Sequence, residues 1–141
     1  MADEVHTGGC LCGGVRYRVA GRLRPVVDCH CGQCRRTHGH VAAYTGAARA
    51  ALELVEASGL RRYGSSPGVR RGFCGTCGGS VFWERSDGPT VSIAAGTLDA
   101  PTELATVGHI YAAEAGDYYV IEDGLPRFAG SDEGSLGSDA T

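Results

Sequence analysis

The stretch Gly8-Gly9-Cys10-Leu11-Cys12-Gly13-Gly14-Val15-Arg16-Tyr17-Arg18-Val19 carries two patterns in direct succession. From Val15 to Val19 apolar and basic residues alternate, and a period of two sorts them onto the two faces of a β-strand. Just before, two cysteines at i and i+2 are bracketed by glycine pairs. In an extended segment such residues share a face, so Cys10 and Cys12 can grip one metal ion from a strand or its edge.

Working outward, the remaining cysteines of the seven fall in Cys29-His30-Cys31-Gly32-Gln33-Cys34 and Cys74-Gly75-Thr76-Cys77. The Cys74 motif has the spacing of a zinc knuckle, with glycines that permit the tight turn. Pairing it with Cys10 and Cys12 gives four thiolates, a closed structural zinc site, and clamps the amino-terminal strand to the middle of the chain. Free or redox-active thiols are the alternative. The central cluster is then left with three cysteines. Zinc held by three protein ligands keeps a position for water or substrate.

In that central cluster Cys29 and Cys31 share a face if extended, and Cys34 returns from the following turn. His30 points away, toward backbone or solvent. His38 and His40 are better placed to approach, as surface or surrounding histidines or as the fourth ligand of an ordinary structural site. Three thiolates around a divalent ion leave a net negative charge, so the metal is a weak Lewis acid for water. A soft site of this kind suits another sulfur, and a bound thiol would lose its proton near neutral pH. Arg35 and Arg36 follow directly: Arg35 is the candidate to clamp a substrate carboxylate, and solvated arginines are the alternative. Tyr63, Trp83 and Tyr118-Tyr119 either line a cleft or pack in the core and at edges.

At 141 residues the chain reads as one zinc domain, residues 4–130, followed by a disordered polar tail, 131–141. With 23 glycines and 7% aromatic residues, it has a lean supply for a large core, a shortage that bound metal offsets. A net charge of −3 argues against a general nucleic-acid binder, although all 13 basic residues are arginine. No apolar run reaches the roughly 18 residues that would span a bilayer, and the amino terminus lacks the pattern of a secretory signal. A cytoplasmic location is expected, where clustered cysteines bind metal or do redox chemistry.

Further strands are expected at 41–44, 69–73, Ser80-Val81-Phe82-Trp83-Glu84 and Thr90-Val91-Ser92-Ile93, with a short helical turn running into a strand over 47–56. Short edge strands are expected at His109-Ile110-Tyr111 and Tyr118-Tyr119-Val120. Short strands separated by glycine and proline turns indicate an all-β fold.

Three segments together resemble one family: the run from Gly8 to Tyr17, Cys29-His30-Cys31-Gly32-Gln33-Cys34-Arg35-Arg36, and Arg71-Gly72-Phe73-Cys74-Gly75-Thr76-Cys77-Gly78. It is the glutathione-dependent formaldehyde-activating enzyme (GFA) family, which also includes centromere protein V (CENP-V). A weaker likeness continues in His109-Ile110-Tyr111 and Asp123-Gly124-Leu125-Pro126-Arg127-Phe128. The resemblance implies an all-β, tent-like zinc fold of twisted antiparallel sheets with short helical turns only. It implies two zinc ions per chain, one structural on Cys10, Cys12, Cys74 and Cys77, and a second, potentially catalytic and partly occupied, on Cys29, Cys31 and Cys34. The activity it implies is that of a carbon–sulfur lyase, S-(hydroxymethyl)glutathione synthase-like, whose partners are a small thiol and an aldehyde. A non-catalytic zinc- or thiol-binding or partner-recognition module is the alternative. In the enzyme reading, water, His38 or His40 would protonate the developing alkoxide.

Overall fold

The computed structural model describes residues 4–137. The protein is mostly β, with strands β1 (Val5–Gly9), β2 (Arg16–Ala20), β3 (Val26–Cys29), β4 (Ala42–Ala48), β5 (Leu52–Glu56), β6 (Leu60–Ser66), β7 (Val69–Cys74), β8 (Ser80–Arg85), β9 (Thr90–Ala94) and β10 (Thr106–Ile110). Among the described residues, one helix, α1 (Gly32–His38), and three 3-10 turns complete the elements. Where the sequence suggests one domain, the described chain forms two compact units: a larger one of residues 4–24 and 45–103, and a smaller one of residues 25–44 and 104–137.

In the larger unit β1, β2 and β5 form an antiparallel sheet, with Gly8 opposite Tyr17 and Tyr17 opposite Leu54. The alternation of β2 is realised: Tyr17 and Val19 are buried, while Arg18 faces water. Strands β9, β8, β7 and β6 are successive neighbours, antiparallel where their registers pair Phe82 with Ile93, Trp83 with Arg71 and Cys74 with Leu60. Val81, Phe82, Val91 and Ile93 are buried, and the Phe82 ring lies 5.5 Å from that of Tyr17. Glu84, only 6% exposed, meets Arg49 at 2.7 Å, Arg70 at 2.7 Å and Arg62 at 3.3 Å. A carboxylate so buried persists because guanidinium donors replace its lost hydration. The segment 47–56 is a 3-10 turn, Arg49–Ala51, running into β5, as its mixed periodicity suggests.

In the smaller unit β3 pairs antiparallel with β4 and parallel with β10. The parallel pair departs from the expected purely antiparallel sheets. It places His109 beside Asp28 and Ile110 beside Cys29. Val27 and Ile110 are buried under it. Helix α1 is longer than the single turn expected after Cys31. Cys31 is its N-cap, with its sulfur accepting from the Cys34 N–H at 3.3 Å. Gly39 ends it at φ 78°, the left-handed cap that glycine adopts without a Cβ penalty.

Two expectations are corrected here. Tyr118-Tyr119-Val120 is not a strand; the segment is irregular and its side chains are engaged by histidines. The polar tail does not become featureless at Ser131. Buried Asp132 accepts from the N–H groups of Gly134 and Leu136, and the Leu136 side chain fills the space a Cβ on Gly108 would need. The tail's last residues, 138–141, lie outside the described residues. No described helix is long and apolar enough to cross a membrane.

Candidate metal centres

The larger unit brings the first and last cysteine motifs together: the sulfurs of Cys10, Cys12, Cys74 and Cys77 all lie within 4.8 Å of one another. Cys10 follows β1 and Cys74 ends β7, so the sheet ends fix one thiol of each pair. The other two sit in tight turns, closed by Gly13 N–H to Cys10 carbonyl and Gly78 N–H to Cys74 carbonyl. Both glycines have positive φ, 83° and 79°, which a side chain would resist.

Backbone N–H groups point at the sulfurs: Gly14 at Cys12 (3.4 Å), Val15 at Cys10 (3.3 Å) and Thr76 at Cys74 (3.4 Å). Such donors favour thiolate over thiol. The N–H groups of Gly79 and Cys12 lower the Cys77 thiol to about 6, and that of Cys77 lowers Cys74. Cys12 is pulled down by Gly14, but its bonds with Cys74 and Cys10, together with burial, push it up to about 11. Among the described residues no cysteine is in a disulfide. A four-sulfur set with N–H groups aimed at it fits a soft divalent ion such as zinc.

The smaller unit brings together Cys29, Cys31 and Cys34, again with all sulfurs within 4.8 Å. They come from the last residue of β3, the N-cap of α1 and its first turn. Among the described residues no further cysteine, histidine or carboxylate joins the group. Its thiols bond chiefly to each other: contacts with Cys31 and Cys34, then burial, push the Cys29 thiol strongly up. Three sulfurs also fit a soft ion, with one coordination position left over.

Around this cluster, Glu114 accepts from the Gly32 N–H at 2.9 Å. Burial, then the negative field of the three cysteines, raises the Tyr111 phenol. Tyr111 itself holds a left-handed backbone, φ 54°, rare for a bulky residue and a local strain at the cluster's edge. Arg35 is half-buried on α1, its Nε buried and without a hydrogen-bond partner among the described residues, while Arg36 is exposed. His38 meets the Tyr44 hydroxyl at 2.9 Å, and His40 meets the Tyr118 hydroxyl at 2.5 Å; neither joins the sulfurs. Tyr63 and Trp83 belong to the larger unit, Tyr63 mostly exposed and Trp83 under the Arg85 guanidinium at 6.0 Å.

His30 does point away from the sulfurs, but not to backbone or solvent. It is 3% exposed, its Nδ1 hydrogen-bonded with the Tyr119 hydroxyl and its Nε2 2.9 Å from His109 Nδ1. His109 Nε2 in turn lies 2.8 Å from Asp123 Oδ2. Burial lowers the His30 pKa and raises that of Asp28, whose carboxylate stands 3.9 Å from His109 Nδ1. Asp123 is held below the usual carboxylate range by the Leu125 N–H and by His109. His109 and Asp123 carry no functional assignment in the sequence reading. The only signal is their place in the weakly family-like ending.

A family model described as "Glutathione-dependent formaldehyde-activating enzyme" matches residues 5–114. That range takes in all seven cysteines and His109, and stops before Tyr119 and Asp123. Among solved structures, the chain is similar to a crystal structure of a Rhodobacter sphaeroides protein at 25% identity and a TM-score of 0.56. The match covers 72% of this chain and 99% of that one.

Proposed function

This chain belongs to the glutathione-dependent formaldehyde-activating enzyme family, and on that premise we propose that it adds a small thiol to an aldehyde, reversibly. The activity is that of a carbon–sulfur lyase of the S-(hydroxymethyl)glutathione synthase type. The observation that carries this reading is the incomplete donor set, three converging sulfurs with no fourth ligand group among the described residues. Cys29, Cys31 and Cys34 would hold a zinc that, when bound, would offer a soft open position favouring an incoming thiol as thiolate. Cys10, Cys12, Cys74 and Cys77 would hold the other zinc, in a structural role.

The chain's own groups bind and orient. The half-buried Arg35 guanidinium would supply a charged donor to a carboxylate of the thiol, as in a peptide thiol. In the reaction the proton leaves sulfur, the sulfur–carbon bond forms as the carbonyl π bond opens, and a proton reaches the former carbonyl oxygen. Thiol and aldehyde balance the adduct with no further reagent. His38 and His40 both face tyrosine hydroxyls, which favours a second reading, a thiol-binding module without catalysis.

The two are separated by following adduct formation from labelled formaldehyde with a panel of thiols against the uncatalysed rate. The proposal expects acceleration with at least one carboxylate-bearing thiol, and its return to background in Cys31→Ser. Protein that carries zinc at both clusters and accelerates no pair would overturn it in favour of the binding module.

A further inference from the structure

The parallel pairing of β10 with β3 sets Ile110 beside Cys29, and the His30 N–H donates to the Ile110 carbonyl at 3.0 Å. The two segments then leave the sheet side by side, one into Cys31 and α1, the other into the 3-10 turn Ala112–Glu114. That turn is anchored. The N–H groups of Tyr111, Ala112 and Ala113 donate to the carbonyls of Gly130, Phe128 and Ala129, and the Glu114 N–H donates to that of Tyr111. From its end the Glu114 side chain reaches back to the helix, where Oε1 accepts from the Gly32 N–H at 2.9 Å.

Cys31 Sγ caps the same first turn, accepting from the Cys34 N–H at 3.3 Å. The first N–H groups of a helix point the same way, so this thiol and this carboxylate share one end of α1. Four covalent bonds separate Cys31 Sγ from the Gly32 nitrogen, a span of at most about 5 Å, which holds Oε1 within about 8 Å of that sulfur. The space beside Gly32 is otherwise open. Apart from its own helix and chain neighbours, a Cβ there would meet only Glu114 Oε1, at 3.6 Å, within 4 Å among the described residues. Glu114 is exposed, and among the described residues its Oε2 has neither a hydrogen-bond partner nor an ion pair. One oxygen is held and the other is available to a ligand. A carboxylate so placed attracts a cation, whereas Arg35 on the same helix attracts an anion.

We propose that Glu114 is a substrate-contacting residue of the three-cysteine site, and that it selects thiols carrying an ammonium group. This rests on the thiol–aldehyde reading and adds a specificity to it. Arg35 suits the carboxylate of the thiol and Glu114 its amine, so the favoured partner is an amino-acid or peptide thiol with both charges. The ammonium donates to Oε2 while Oε1 keeps the Gly32 N–H, and no proton changes hands.

Binding to the zinc-loaded full chain, read by calorimetry with no aldehyde present, tests it. The probes are glutathione and its des-amino analogue, which differ by one ammonium. Wild type is expected to bind glutathione about fivefold more tightly, the worth of one exposed charge pair, and the preference should shrink in high salt. Glu114→Gln should bind the two alike, with zinc content and melting temperature unchanged, because its amide oxygen still accepts from Gly32. Equal binding by wild type, a preference that salt leaves untouched, or one retained in Glu114→Gln overturns the contact and leaves Glu114 a cap of α1. A wild-type chain that binds neither peptide yet accelerates adduct formation with another thiol overturns it as well. One that binds neither and accelerates no thiol overturns the thiol reading itself.

Discussion

The two cysteine clusters use the same donor atom and differ in what surrounds it. Around Cys10, Cys12, Cys74 and Cys77 the backbone turns its N–H groups toward sulfur, and two of the thiols are lowered, Cys77 to about 6. Around Cys29, Cys31 and Cys34 the thiols lean mainly on one another, Cys29 is raised, and a polar chain of two histidines and an aspartate runs behind the β3–α1 corner. In the first cluster backbone donors lower two of the four thiols while Cys12 is raised; the second brings together three sulfurs, one fewer. Under the proposed function, the difference separates a clamp from a binding position.

The largest effect that sharpens this contrast is on folding. Cys74→Ser breaks the four-sulfur set. A structural zinc supplies about 10–16 kcal/mol of apparent binding energy, against a net stability of about 5–15 kcal/mol for a typical domain. The variant should show no cooperative melt by circular dichroism. A folded variant with an unchanged melting temperature would remove the clamp. Cys31→Ser should do the reverse. Serine is a strong N-cap, so α1 keeps its capping acceptor. The melting temperature should stay within a few degrees, about 1 kcal/mol, while thiol-dependent rate falls to background.

Mild chelation ranks next. Zinc should leave the three-cysteine cluster first, and metal content should fall from two toward one per chain before ellipticity changes, since the two clusters offer unequal ligand numbers. Simultaneous loss with unfolding would make the two clusters equivalent.

These residues also show what can be read without a structure. The cysteine sets are legible because sulfurs this closely spaced in sequence come together locally, and the fold then brings the distant pairs within 4.8 Å of one another. Strand β2 is legible because burial of one face writes an alternation into it, and β8 and β9 because they are short buried runs bounded by turn residues. Strand β1 hides because Gly8 and Gly9 carry no side-chain pattern; its partner β2 defines it. Strand β6 is exposed along nearly its whole length, so burial writes no alternation into Leu60–Ser66. Helix α1 hides behind a cysteine N-cap and an initial glycine, neither a usual start signal. The histidine chain joins positions 30, 109, 119 and 123, and only the parallel β3–β10 pairing brings the first two together. No local pattern encodes such a pairing.

The smallest effect concerns the clamp's support. Asp99 accepts from Thr7 at 2.6 Å and from Arg16 at 2.6 Å, tying the residues on either side of the Cys10 turn. Arg16, then Thr7, lowers its pKa below the ordinary 3.8. A depressed carboxylate contributes stability above its unfolded pKa and loses it as pH falls through the folded value. Asp99→Asn should therefore melt slightly below wild type at pH 7, with the gap closing below about pH 4, and with zinc content and rate unchanged. A gap that persists in acid would assign the loss to packing.

Under the proposed function, the three-cysteine cluster has room for one more sulfur. Zinc-edge X-ray absorption on the fully loaded chain, before and after addition of an active thiol, tests it most directly. The average number of sulfur neighbours per zinc should rise on addition, and the rise should vanish in Cys31→Ser. A sulfur count of four per zinc before any thiol is added, or one that addition leaves unchanged, would make both clusters closed structural sites and contradict the account.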